Sequence, residues 1–139
     1  MTKEDVQKLY MEFQMAHNNI KQIEKQNEAL EKQLMELLMA NQSLNDMKQT
    51  KQGTEILVPI SNGIYAKAEL KENENFIVNV GANITVKKDL ESTKKIIEAQ
   101  IDEMQTLQKN LVEELQKNTL QAASLEKEIN KIGSTLENK

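Results

Sequence analysis

At 139 residues and a formal charge of −4, with 38% apolar, 3% aromatic and 29% charged residues, the chain is lean for a globular core and better composed for a coiled coil. The absence of Cys excludes a disulfide framework, a thiolate nucleophile and sulfur ligands for zinc, and leads to the expectation of a reducing, cytoplasmic setting. All 18 cations are Lys, and residues 1–50, 51–88 and 89–139 balance at −2, +1 and −3, so no segment offers the dense positive field that nucleic acid requires.

The amino-terminal MTKEDVQ lacks an apolar run behind a basic start, and no stretch approaches the roughly 20 apolar residues that cross a bilayer. A soluble chain without membrane partners is expected.

The first helix, assigned to residues 1–50, carries one seam. Seven-residue steps from Val6 reach Phe13, Ile20, Asn27, Leu34 and Asn41, while Leu9 leads to Ala16, Ile23, Leu30, Leu37 and Leu44. The two series lie three apart, as heptad a and d positions do. Asn27 and Asn41 occupy a positions, where a polar residue either penalises a wrong register or is tolerated in a hydrated site.

Residues 51–88 break the pattern. They hold the only Pro and most of the β-branched residues outside the helical seams. Alternation yields four short strands: Ile56, Val58 and Ile60; Ile64, Ala66, Ala68 and Leu70; Phe76, Val78 and Val80; and Ile84 with Val86. Ser61-Asn62-Gly63 and Gly81-Ala82-Asn83 read as the turns of two hairpins, joined by the KENEN loop, with Pro59 at an edge or strand end. So small a sheet leaves edges and an apolar face open, which makes the insert an assembly module through Ile56, Val58, Ile60, Ile64, Leu70, Phe76, Val78, Val80, Ile84 and Val86.

The second helix, assigned to residues 89–139, repeats the seam. One series runs Leu90, Ile97, Met104, Leu111, Asn118, Leu125 and Ile132; the other runs Lys94, Ile101, Gln108, Leu115, Ala122, Ile129 and Leu136. Two seams of equal length around a compact insert most simply fold back as an antiparallel pair, each burying the other's stripe. The expected fold is mainly α with a small β insert: a long antiparallel two-helix coiled coil with two β-hairpins at one end, in a single domain overall.

The segments ILVPISNGIYAKAEL and FIVNVGANITVKKDLE, flanked by these two helices, resemble the α-class subunit of prefoldin, with the two-hairpin insert as the specific feature. The resemblance implies an ATP-independent co-chaperone. Two α-class subunits would assemble with four β-class subunits (α2β4), their hairpins forming a double β-barrel body bearing six coiled coils. Coil tips would hold unfolded client polypeptide and deliver it to a group II chaperonin. The alternative from a different class is a structural coiled-coil protein that builds filaments or cages through the β module without client transfer.

Holding an unfolded chain needs adaptable exposed apolar surface, for which Met is well suited. Tyr10, Met11 and Met15 fall outside the seam, and with Val6, Leu9 and Phe13 opposite Leu125, Ile129, Ile132 and Leu136 they form the candidate client-binding tip, which Leu120 extends. A second outward set, Met35, Leu38, Met39, Met47 and Ile96, is expected to pack on the body or a neighbouring coil, and the stretch between the two sets reads as polar. His17 is the only His and reads as a solvated flank residue; the carboxylates follow outward helix faces beside Lys, and no Gly-rich phosphate loop is present. These features point to no enzyme, no cofactor and no metal.

Overall fold

The computed structural model describes residues 2–137, with side chains over residues 2–133. The chain order is α1 (Lys3–Gln49), β1 (Glu55–Ser61), β2 (Ile64–Glu69), β3 (Asn75–Gly81), β4 (Ile84–Asp89) and α2 (Leu90–Glu137). The two long helices with two hairpins between them are the elements expected. The assigned segment ends Met1, Asn138 and Lys139, and the side chain of Leu136, lie outside the described residues.

The helices owe their faces to the heptad. Every a and d position of α1 from Val6 to Leu44 is buried or half-buried, and every other position up to Ser43 is exposed. In α2 the seam from Leu90 to Ile132 is likewise covered, including Lys94, Gln108 and Asn118. A stripe two-sevenths wide suits a two-helix coil rather than a larger bundle, which would cover e or g positions too.

Two compact units divide the chain, one of residues 1–33 with 104–139 and one of residues 34–103. In the first, Ala16, Ala122 and Leu125 form a buried cluster against which Leu9, Phe13 and Ile20 pack. One cleft is lined by Met15, Ala16 and Gln121, and another by Ile23, Gln26 and Glu114. Partners on α2 fall in number as those on α1 rise, so the helices run antiparallel. Two Ala in one core layer let the backbones approach closely, and Phe13, stacked on His17 at 6.1 Å between ring centroids, borders that layer.

The second unit contains the last turns of α1, both hairpins and the start of α2. β1 pairs with β2 and β3 with β4, both antiparallel, as separate two-stranded sheets. Each ladder shifts register just before its turn, between Pro59 and Ser61 and between Asn79 and Gly81. Pro59 thus sits beside a bulge, where its missing N–H is least costly. Gly63 supplies a positive φ of 79° in the first turn. In the second, Ala82 (51°) and Asn83 (61°) both take the left-handed region that a tight two-residue hairpin demands. Asn tolerates this conformation; for Ala82 it is a strain the residue type does not announce.

The helix ends are tied to the hairpins. Gly53 N–H donates to the Leu70 carbonyl at 2.7 Å and Leu70 N–H to that of Thr54 at 2.9 Å, extending the first ladder toward α1. Leu90 N–H reaches the Glu74 carbonyl at 3.0 Å. Asp89 closes β4 and caps α2: its carboxylate accepts from Ser92 N–H at 2.8 Å while Thr93 donates its hydroxyl to the Asp89 carbonyl. Thr2 and Asp5 form a reciprocal cap on α1, each side chain accepting from the other's backbone N–H at 3.2 Å.

Candidate functional site

Within the first unit the candidate tip residues separate into two groups. Leu9, Phe13 and Leu125 belong to the coil core, and Val6, Ile129 and Ile132 are half-buried along the same seam. Tyr10, Met11 and Met15 lie off the seam and are exposed, at 54, 64 and 61%. Leu120 on α2, at 72%, is exposed as well. This follows from the heptad: e, f and c positions point away from the partner helix, so pairing the coil leaves them in solvent. Met15 also lines the shallow cleft with Glu12, Ala16, Asn19 and Gln121.

Between residues 17 and 33, α1 presents only polar side chains and Ala29 outward, as expected. On α2, however, Leu107 and Val112 are exposed. They occupy g and e positions beside the seam, where apolar residues are easily counted as seam width.

In the second unit Met35, Leu38 and Met39 are exposed, whereas Met47 and Ile96 are half-buried rather than outward. Met47 lies on the last turn of α1, where the β2–β3 loop docks through Asn73, and Ile96 on the first turns of α2, next to the seam residue Ile97. A cleft there is lined by Lys48, Asn73, Glu74, Asp89, Leu90 and Glu91. Hydrogen bonding from Ser92, side chain and backbone, holds the Asp89 carboxyl below its ordinary value, as Thr2 does for Asp5.

On the hairpins, directly opposed residues share a face. Ile56 with Ala68, Val58 with Ala66 and Val78 with Val86 form the expected apolar faces. Of the candidate assembly residues, Val58, Ile60, Ile64, Val80 and Ile84 are exposed, while Ile56, Leu70, Phe76, Val78 and Val86 are half-buried. The opposite faces hold exposed apolar residues that alternation missed: Leu57 beside Lys67, Tyr65 beside Pro59, and Ile77 beside Lys87. The signal was present in the unbroken apolar run Ile56–Ile60, which marks a strand with two faces to cover.

Among the described residues no group of three or more His, Cys, Asp or Glu could hold a metal, and no helix is long and apolar enough to cross a membrane.

A seam that buries a two-helix coil, with paired hairpins between its helices, describes a subunit with the prefoldin fold. The family model for the prefoldin subunit matches residues 3–134, and the chain belongs to that family. Its relatives bear the α-class name. It is 22% identical over 134 residues to prefoldin subunit alpha of Methanococcus vannielii, covering 96% of this chain and 90% of that one. It is 31% identical over 87 residues to that of Thermofilum pendens, covering 63% and 67%, and 26% identical to that of Pyrobaculum aerophilum, covering 96% and 98%. Among solved structures it matches filamentous PFD from Methanocaldococcus jannaschii with a TM-score of 0.73 at 19% identity, over 83% of this chain and 95% of that one, a likeness of fold.

Proposed function

We propose that the chain is the α-class subunit of an ATP-independent holding chaperone, assembling with β-class subunits into an α2β4 heterohexamer in the cytoplasm. The hairpins join those of neighbouring subunits into a β-barrel body, because a two-stranded sheet exposing Val58, Ile60, Ile64, Val80 and Ile84 is marginal alone. The tip holds unfolded polypeptide and passes it to a group II chaperonin. The observation that carries the reading is the exposure of Tyr10, Met11 and Met15 beside a coil that is already closed. Flexible thioethers and an aromatic ring adapt to many apolar sequences, and release needs no nucleotide when each contact is weak.

Mixing the chain with a β-class subunit and measuring mass by gel filtration with light scattering tests the assembly; a discrete heterohexamer is expected. The second reading, a filament-forming structural protein, draws on the filamentous form of the Methanocaldococcus jannaschii match. Open-ended self-assembly of the purified chain, with no complex formed on adding the β-class partner, would establish it in place of the first.

A further inference from the structure

Four methionines stand as two pairs one helical turn apart. Met11 with Met15 and Met35 with Met39 are spaced four residues on α1, which sets each pair on one face. All four are between 61 and 67% exposed. The seams show the opposite choice: among their described positions, Leu, Ile and other residues fill every place but Met104, which is half-buried. Leu would supply the same apolar area and helix propensity outside the seam as within it. What Met adds there is a sulfur that solvent reaches, in a chain with no Cys and no Trp to react first.

We infer that the Met11–Met15 pair is an oxidation site through which peroxide-class oxidants switch off the outer apolar surface. The inference rests on the client-holding reading above. In the step, a lone pair of the thioether sulfur attacks one oxygen of hydrogen peroxide. The O–O bond breaks as the S–O bond forms, and the departing hydroxide takes the proton of the new S–OH group, leaving as water and giving the neutral sulfoxide. The sulfide is oxidised and the peroxide reduced. The product sulfoxide is polar and hydrogen-bonds water, so the Met11–Met15 face becomes hydrated while Tyr10 and the seam beneath, built on Phe13, Ala16 and Leu125, are untouched. Because both sulfurs share one face, each oxidation sets one polar S–O group on the same patch, and two leave no thioether there. Reduction by a dithiol through a sulfoxide reductase restores the thioether, with a disulfide and water as products.

The test uses the complex of the full chain with its β-class partner. The complex is treated with graded hydrogen peroxide, the peroxide is removed with catalase, and a chemically denatured client is added. Sulfoxide at each Met is read by peptide mass spectrometry, and client aggregation by light scattering. Met11 and Met15 are expected to oxidise several-fold faster than Met104, with suppression falling in step and helicity and complex mass unchanged. The Met11→Leu/Met15→Leu variant alters the grip itself, so it is compared with its own untreated level: whatever fraction of the parent's suppression it begins with, that level is expected to be the same before and after peroxide. Suppression that survives full conversion of both residues, or a Leu variant that loses suppression as the parent does, overturns the switch alone. An untreated complex that suppresses nothing overturns the client-holding reading and the switch with it.

Discussion

The side-chain amide of Asn73 donates to the backbone carbonyl of Thr50 at 3.0 Å and also reaches that of Lys48 at 3.3 Å. One loop residue thereby satisfies carbonyls that the end of α1 leaves without intrahelical partners, and it fastens the connection between the hairpins to the helix. Gln52, donating to the Lys71 carbonyl at 2.6 Å, makes the reverse tie. Replacing Asn73 with Ala should cost about 0.5–1.5 kcal/mol, the net contribution of a typical hydrogen bond, because water can reach these incompletely buried carbonyls. A lower urea midpoint with unchanged slope, and faster amide exchange in residues 50–54, would report it; unchanged exchange would show that the tie carries no stability.

Asn27 and Asn41 each bury a side-chain carbonyl oxygen without a hydrogen-bond partner, at the seam positions expected to guard register. An orphaned buried acceptor costs about 1–3 kcal/mol. Asn27→Leu should therefore raise the melting temperature while admitting shifted pairings. Ala16→Cys with Ala122→Cys reports the native pairing, since both residues lie in one buried cluster and the chain has no other Cys. Adding Asn27→Leu should lower the yield of that crosslink. A higher melting temperature with undiminished crosslinking would assign Asn27 to tolerance rather than to register.

The second hairpin turn holds a strain that can be relieved. Ala82 at a φ of 51° suffers a left-handed penalty of roughly 1–2 kcal/mol, against about 0.5–1 kcal/mol of added unfolded-state freedom for Gly. Ala82→Gly is thus expected to stabilise the hairpin by about 0.5–1 kcal/mol, and Gly81→Ala, at a φ of 116°, to destabilise it. Thermal melts of the assembled protein decide both signs.

Asp89 makes the start of α2 sensitive to acid. Its folded-state pKa is depressed, first by the Ser92 side chain and then by the Ser92 backbone, so its contribution is complete above the ordinary value of 3.8 and is lost as pH falls through the lower folded value. Asp89→Asn keeps a capping oxygen without the titration. The melting temperature of the parent chain should exceed that of the variant near neutrality, and the gap should close below about pH 4. Taking the difference between the two proteins removes the parallel contribution of Asp5.

The sequence made the helical seams legible to the residue, because burial along a two-helix coil follows heptad phase and every described a and d position obeyed it, even Lys94 and Gln108. Hairpin positions were legible from Gly63 and Gly81, where turn chemistry is local. What stayed hidden depends on contacts distant in sequence. Asn73 sits in a charged loop that reads as solvent-exposed linker, and nothing nearby marks its reach to Lys48 and Thr50. Leu57, Tyr65 and Ile77 were masked by the alternation itself, since a period-two reading assigns one face to polar residues. In the candidate tip, Tyr10, Met11 and Met15 could be separated from Phe13 by phase alone, whereas the closeness of the coil at Ala16 and Ala122 required the paired helices.

Client holding is proposed to reside in the apolar residues near the start of α1 rather than in the hairpins. Tyr10, Met11, Phe13 and Met15 are replaced together by Ser, the variant is assembled with β-class subunits, and aggregation of a denatured client is followed by light scattering. An accompanying variant limited to Tyr10, Met11 and Met15 spares the core residue Phe13. Both should form the complex with little loss of global stability, because helix ends contribute least to it, and both should lose most of the suppression that the parent complex gives. Undiminished suppression by correctly assembled variants would contradict the claim and move the client surface elsewhere in the chain.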